Sequence, residues 1–293
     1  MHSIESMHAS PGLQKYVRAY AQRRAAIEDV PQVARVPARL EQILEFQFHD
    51  RFEVCFDSGP RIVTPWIAVI GPQIPSRATV LLHGKIDSFA VFFQPAGFSQ
   101  IFGTPVAALS NFSDEGTAIM GQRVRSLWNE LGETHHFEER VRIMEHFLYQ
   151  CVGQIRVHDR MMETCNQLLT LQGKISVAEL AAQARMGVRH FERTFAKRVG
   201  FPPKLYARVA RFQTALDLKL AAPSRKWTDI SHTLGYHDQM HMIHDFKSLG
   251  GNSPNRILGN LGDMRPAAVA ALAPEDVETG RIFTIEISKS ALL

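Results

Sequence analysis

Two segments of this chain follow one plan, and that internal repeat limits the fold more than any single motif does. Residues 176–203 read SVAELAAQARMGVRHFERTFAKRVGFPP, and residues 226–254 read KWTDISHTLGYHDQMHMIHDFKSLGGNSP. Each predicts a short amphipathic helix, a tight turn, a second helix with an aromatic stripe, and a Gly-led, Pro-ended exit. In the first, Ser176 with Glu179 three residues on is a capping box. Val177, Leu180 and Ala181 face inward, the chain turns at Arg185-Met186-Gly187, and Phe191 and Phe195 lie one helical turn apart. A longer helix over 204–220 turns Leu205, Val209, Phe212 and Leu216 inward. In the second unit Trp227, Ile230 and Ser231 face inward, Gly235 supplies the turn, and Tyr236 packs beneath it. Asp238 then caps a helix that buries Met242 and Phe246. The pattern is two helix-turn-helix units in tandem.

Charge follows the repeat. The chain has 33 Lys+Arg and 29 Asp+Glu, a net charge of +4. Residues 174–258 hold 14 of those basic groups and 6 of the acidic ones, a local balance of +8 that leaves −4 for the remainder. Basic charge gathered on one segment suits phosphate neutralisation, so double-stranded DNA is the expected partner. At 45% hydrophobic and 21% charged the composition argues against disorder. No apolar run nears the roughly 18 residues that would span a bilayer, so no membrane partner is expected. The start of the chain lacks the pattern of a signal peptide. Cys55, Cys151 and Cys165 are too widely spaced for a disulfide framework or zinc cluster. A cytoplasmic, nucleoid-associated protein without cofactor or metal is expected.

The remainder reads as an α+β assembly. The first 35 or so residues are weakly patterned, and 12–26 fit a helix or an extended lead-in equally. From Leu40 the period becomes two: Leu44, Phe46 and Phe48 alternate, then Phe52, Val54 and Phe56. Further short strands are expected at 66–70, 78–83 and 88–93, punctuated by Gly71-Pro72, Gly84-Lys85 and Pro95-Ala96-Gly97. The sum is a β-rich, cupin-like sandwich or barrel. Helical spacing then takes over at 114–131 and 137–155, with Ile119, Val124, Leu127 and Leu131, then Val141, Met144, Phe147, Leu148 and Cys151, followed by a helix over 161–171. The expected division is a regulatory and dimerisation domain at 1–155, a linker helix at 156–174, the tandem helix-turn-helix domain at 175–258, and a C-terminal extension at 259–293 in which 281–288 reads as a strand.

Residues 175–258 resemble the DNA-binding domain of the AraC/XylS family of bacterial transcription regulators. Leu180-Ala181, Phe191, Arg193, Phe195, Gly200, Pro203, Tyr206, Arg211 and Ala215 carry the resemblance in the first half. Ile230, Gly235-Tyr236, Asp238, His241, Phe246-Lys247, Gly251 and Ser253-Pro254 carry it in the second. The resemblance implies a sequence-specific regulator, an activator contacting RNA polymerase, whose two second helices enter successive major-groove segments. The outward residues are Val188, Arg189, Glu192 and Arg193 in the first, and Gln239, Met240, Ile243 and His244 in the second. Arg suits guanine, Gln adenine, and Met or Ile the thymine methyl group. Lys197, Lys247, Arg225 and Lys226 are placed to hold phosphates. Four departures stand out: His244 for the family's Arg, Gly187 for its Ser cap, Arg185 for its turn Gly, and Ser231 for its Ala. They imply that the first unit dominates affinity.

Three other readings compete. His237, His241 and His244 invite a zinc site, but His237 falls outside the helix and no Cys lies near. A cupin-like N-terminal domain acting as a metal-dependent enzyme, with the helical domain as a non-specific anchor, would need closely spaced histidines; only isolated His49 and His83 are on offer. The N-terminal domain as an effector sensor or homodimer module would use Phe46, Phe48, Phe52, Phe56, Trp66, Phe92 and Phe93 as a pocket lining, and the same residues serve equally as core.

Overall fold

The first 35 residues, which carry no clear period, hold the longest strand among the described residues. The computed structural model describes residues 3–36, 38–56, 59–74, 78–94, 97–109, 113–153 and 160–263; the expected strand at 281–288 lies outside them. In chain order the N-terminal strands are β1 (Ser3–His8), β2 (Val17–Arg35), β3 (Ile43–Gln47), β4 (Glu53–Phe56), β5 (Arg61–Val63), β6 (Ile67–Ile70) and β7 (Ala78–Phe93). Helix α1 (Gly97–Phe102), a 3-10 turn at Val106–Leu109, and strand β8 (Ser113–Glu115) follow. All pairings are antiparallel, in the order β1-β2-β7-β3-β6-β8, with β4 on the far half of β7 and β5 on β4.

Gly84 does not divide 78–93 into two strands as expected. It sits at φ 74° inside β7, and the mate strand β2 shifts register opposite it, between Ile27 and Gln32. A bulged pair of long strands thus replaces two short ones, the extra residues being absorbed in a bend. A Cβ at Gly84 would come within 2.2 Å of Asp50 Oδ2, so the close approach as well as the backbone angle requires glycine.

Helices α2 (Gly116–Met120), α3 (Arg123–Glu133) and α4 (Phe137–Val152) cover one face of this sheet. The single helix expected from residue 114 is instead β8 plus two helices, because Asp114 pairs with Val69 and Gly121 leaves the helix at φ 76°. Tyr20, Leu44, Phe46, Phe89 and Phe93 from the sheet share a core with Val124, Leu127, Leu131, Met144 and Leu148 from the helices. Phe46, Phe52, Phe92 and Phe93 are buried core residues, while Phe48 and Trp66 pack, partly buried, around Trp128. The side chain of Phe56 lies outside the described residues. A cavity of about 1120 Å³ opens elsewhere, between the β2–β7 bend and the loop before α4, where His49, His83 and His135 line it.

The described residues from 160 to 263 form helices only: α5 (Arg160–Thr170), α6 (Val177–Gln183), α7 (Val188–Val199), α8 (Pro203–Ala221), α9 (Trp227–Thr233), α10 (Gln239–Gly250) and α11 (Pro254–Asp263). The molecule is therefore α+β, a β-rich N-terminal domain followed by an all-α one. One core runs through the helices: Leu168 of α5, Leu180 of α6, Phe191 and Phe195 of α7, Tyr206 and Phe212 of α8, Ile230 of α9, and Met242 and Phe246 of α10. Ala38, Leu40 and Ile74 of the N-terminal domain enter the same core. Among the described residues no helix is long and apolar enough to cross a membrane.

Candidate nucleic-acid interface

Helix α6 starts on a complete capping box: Ser176 Oγ accepts from the Glu179 amide at 3.2 Å, and Glu179 accepts from the Ser176 amide at 2.9 Å. That reciprocal pair holds the Glu179 carboxyl below its ordinary range. The turn that follows is closed by Met186 N–H to Ala181 C=O at 2.9 Å, with Arg185 at φ 54°. The second unit closes its turn identically, Tyr236 N–H to Ser231 C=O at 3.1 Å, with Gly235 at φ 69°. The repeat in the sequence is a repeat of backbone hydrogen bonds.

Each second helix is anchored from behind. Phe191 and Phe195 are fully buried, and Phe195 meets Tyr206 of α8 edge-on at 5.5 Å. In α10, Phe246 meets Phe212 at 4.8 Å and Trp227 at 5.4 Å. Tyr206 and Phe212 are six positions apart, about 9 Å along α8 and about 120° around it. The two units thus grip different sides of the same helix. Asp238 caps α10 by accepting from the His241 amide at 2.7 Å, which with His237 beside it keeps its carboxyl below the ordinary range. Gly187 caps α7 through extended backbone alone. Gly200 and Gly251 end the helices at φ 95° and 74°, a conformation open to glycine at little cost.

What remains of α7 and α10 points outward. Val188, Arg189, Glu192, Arg193 and Lys197 are exposed on α7; Gln239, Met240, His244 and Lys247 are exposed on α10, with Ile243 half-buried beside them. Two apolar residues are conspicuous in the first turns: Val188 is 44% exposed and Met240 67%. Arg193 leans on His190 at 3.3 Å. Arg189, Lys197 and Lys247 engage no partner among the described residues. Of the basic groups expected near phosphates, Lys226 is exposed, whereas Arg225 is tied to Thr233 Oγ1 at 2.6 Å.

Two of the three histidines of the zinc reading have other neighbours. His237 lies 3.2 Å from Asp238, and His241 stands edge-on to the Tyr236 ring at 5.6 Å. Among the described residues no group of three His, Cys, Asp or Glu is placed to hold a metal ion. In the N-terminal domain His83 Nε2 lies 3.2 Å from Glu53 Oε1.

Sequence reasoning did not find the basic groups that act inside the fold. Arg140, fully buried in α4, donates to both carboxylate oxygens of Asp87 at 2.6 and 3.0 Å and lies over the Phe48 ring. Arg208 of α8 bonds Asp245 of α10 at 2.7 Å, and Arg211 lies over the Tyr236 ring at 5.2 Å. For Arg140 and Arg208 the sequence signal is a basic residue at a helical position whose neighbours face inward; Arg211 also carried the family resemblance, without its role.

Two helix-turn-helix units sharing one core, with the outer faces of both second helices left open, define a DNA-binding transcription regulator. Residues 180–260 match the helix-turn-helix domain family, and the helical domain is a helix-turn-helix domain of the AraC type. Residues 5–113 match a domain family of unknown function, DUF6597. No curated protein matches the chain. Among solved structures the chain is similar to an apo form of a ToxT point variant from Vibrio cholerae, 10% identical with a TM-score of 0.49 over 87% of this chain and 100% of that one. A second ToxT structure from the same organism is 10% identical at 0.46, over 88% and 98%. ToxT with bound unsaturated fatty acid is 10% identical at 0.42, over 88% and 94%.

Proposed function

We propose that this chain binds DNA sequence-specifically, inserting α7 and α10 into successive major-groove segments, and that it activates transcription. The observation that carries the reading is the matched pair of open helix faces, each with an exposed apolar residue in its first turn and unengaged basic groups beside it. An exposed Val or Met at that place has no folding role, while a thymine methyl group would cover it. Val188, Arg189, Glu192 and Arg193 read bases from the first unit, and Gln239, Met240, Ile243 and His244 from the second. Lys197 and Lys247 hold phosphates. Domain limits of 1–155, 156–174, 175–258 and 259–293 suit this division of labour, with RNA polymerase the partner that the family resemblance suggests.

Selection from random duplex DNA at moderate salt tests the reading, with Arg193→Ala alongside. The expected result is an asymmetric site of two elements about one helical turn apart. Arg193→Ala should weaken it by the roughly 1–3 kcal/mol of a bidentate base contact and relax preference at one position. Salt-sensitive binding without an enriched sequence would reduce the domain to a basic anchor. Transcription in vitro from a template bearing the enriched site then gives the direction of regulation.

A further inference from the structure

We propose that Arg18 is a positioning residue for DNA binding: it clamps α8, the helix that spaces the two recognition helices, to the N-terminal sheet. Arg18 is the second residue of β2, far from either helix-turn-helix unit in sequence. Its side chain is only 12% exposed, and its Nη1 donates to Glu41 Oε1 at 2.7 Å, Glu41 being equally buried. The second oxygen of Glu41 faces Gln213 Nε2 of α8 at 3.5 Å. One turn further along α8, the 7% exposed Asp217 brings a second carboxylate to Arg18. Burial pulls the Arg18 guanidinium down from its ordinary range, and the charges of Glu41 and Asp217 oppose that pull. The Arg18–Glu41 pair of the N-terminal domain thus reaches the spacer helix at Gln213, with the charge of Asp217 acting on the same guanidinium. Apolar contact surrounds the join, since Ala38, Leu40 and Ile74 share a core with Tyr206 and Phe212.

Apolar contact alone tolerates sliding. A desolvated ion triad does not, because any shift that separates the charges leaves one of them buried and uncompensated. Tyr206, Gln213 and Asp217 lie seven and four residues apart, on one face of α8, and that face is turned to the N-terminal domain. The units attach at Tyr206 and Phe212 on different sides of the same helix. Fixing α8 in register against the sheet therefore fixes where both units stand. The unit that reads DNA is on this account larger than the helical domain: it includes Arg18 and residues 38–41.

This inference rests on the two-helix reading above, and its test separates the two. Full-length protein is measured on duplexes carrying the two selected elements, with the separation varied one base pair at a time. Active fraction is set by stoichiometric titration. The variants are Glu41→Gln and Asp217→Asn, which keep shape and remove charge, and Arg18→Lys, which keeps charge and loses the fork. Leu127→Ala, in the N-terminal core away from α8, is the control for lost stability alone. Wild type and Leu127→Ala should share one preferred separation. The three seam variants should lose several-fold of the preference for it over its neighbours, Arg18→Lys least. Seam variants that keep the wild-type spacing profile, or a control that loses it equally, would overturn the clamp. A wild type indifferent to spacing would sink the two-helix reading itself, and the clamp with it.

Discussion

Arg185 and Gly235 occupy the same place in the two units, two residues past the end of the first helix, yet only one of them suits it. Both backbones are in the left-handed region, at φ 54° and 69°, and both turns close on equivalent hydrogen bonds. A residue with a Cβ is strained there by about 1 kcal/mol, whereas glycine is not. Arg185 is exposed, so its side chain contributes little that offsets the strain. Arg185→Gly is therefore expected to raise the stability of the protein by about 0.5–1 kcal/mol, after allowing for the greater freedom of an unfolded glycine. Gly235→Ala should lower it by a similar amount. Denaturant midpoints at unchanged slope provide the check, and an Arg185→Gly variant no more stable than its parent would mean that the arginine is held there by a contact. The departure was visible in the sequence as an arginine at a turn position, but its cost needed the backbone angle.

At the scale of elements, legibility followed periodicity. Helices α6 to α10 could be read because their large buried residues recur at three- or four-residue intervals and because Ser176, Asp238, Gly200 and Gly251 mark ends. Strands β3 and β4 could be read because Leu44, Phe46 and Val54 recur at every second position, and β6 because its short apolar run ends at Gly71-Pro72. Strand β2 could not. Its residues face a helix-covered core on one side and a second apolar cluster on the other, so Tyr20, Ala21 and Gln22 are all buried and no alternation survives. Arg140 was hidden for a related reason: a charged residue in an amphipathic helix reads as solvent-facing, and here it is the tie between α4 and the sheet. Its Nε also donates to the carbonyls of Leu131 and Thr134, and its Nη1 donates to Gln22 Oε1 at 2.8 Å. Arg140→Met would fill much of the volume yet leave the Asp87 carboxylate, which is 4% exposed, with only the longer contacts to Arg24 at 3.8 Å and His135 at 3.6 Å. The expected cost is about 3–5 kcal/mol, as for other buried pairs broken from one side. Pairing it with Asp87→Asn should recover part of that loss in thermal or chemical unfolding. A single variant within about 0.5 kcal/mol of wild type would show that Arg24 and His135 suffice to hold Asp87.

At the scale of the whole molecule, one buried carboxyl of the N-terminal sheet titrates in an accessible range. Glu45 of β3 stands between Arg23 of β2 and Arg39, the latter also facing Glu41. Burial pushes the Glu45 carboxyl up from 4.5 to about 7, against the opposing pull of the two guanidinium groups. Burial also draws Arg23 down to about 10. A carboxyl whose folded value is raised binds its proton more tightly in the native state. Its contribution to stability is full below pH 4.5 and is lost as pH rises through 7. The ceiling on that loss is about 3 kcal/mol at about 1.4 kcal/mol per pH unit, and the part of Glu45 that still meets solvent lowers it toward about 1. Stability of the wild type should therefore fall between pH 5 and pH 8 more steeply than that of Glu45→Gln, which has nothing to titrate there. The slopes are the quantity to compare: the substitution also removes the charge that faces Arg23 and Arg39, and that cost is constant across the window because both stay protonated. Because Arg39 faces Glu41 as well, and Glu41 holds Arg18, ionising Glu45 reaches the group that grips α8. Parallel slopes in wild type and Glu45→Gln would mean that solvent reaches the carboxylate freely, and would leave the Arg18 seam electrically separate from the rest of the sheet.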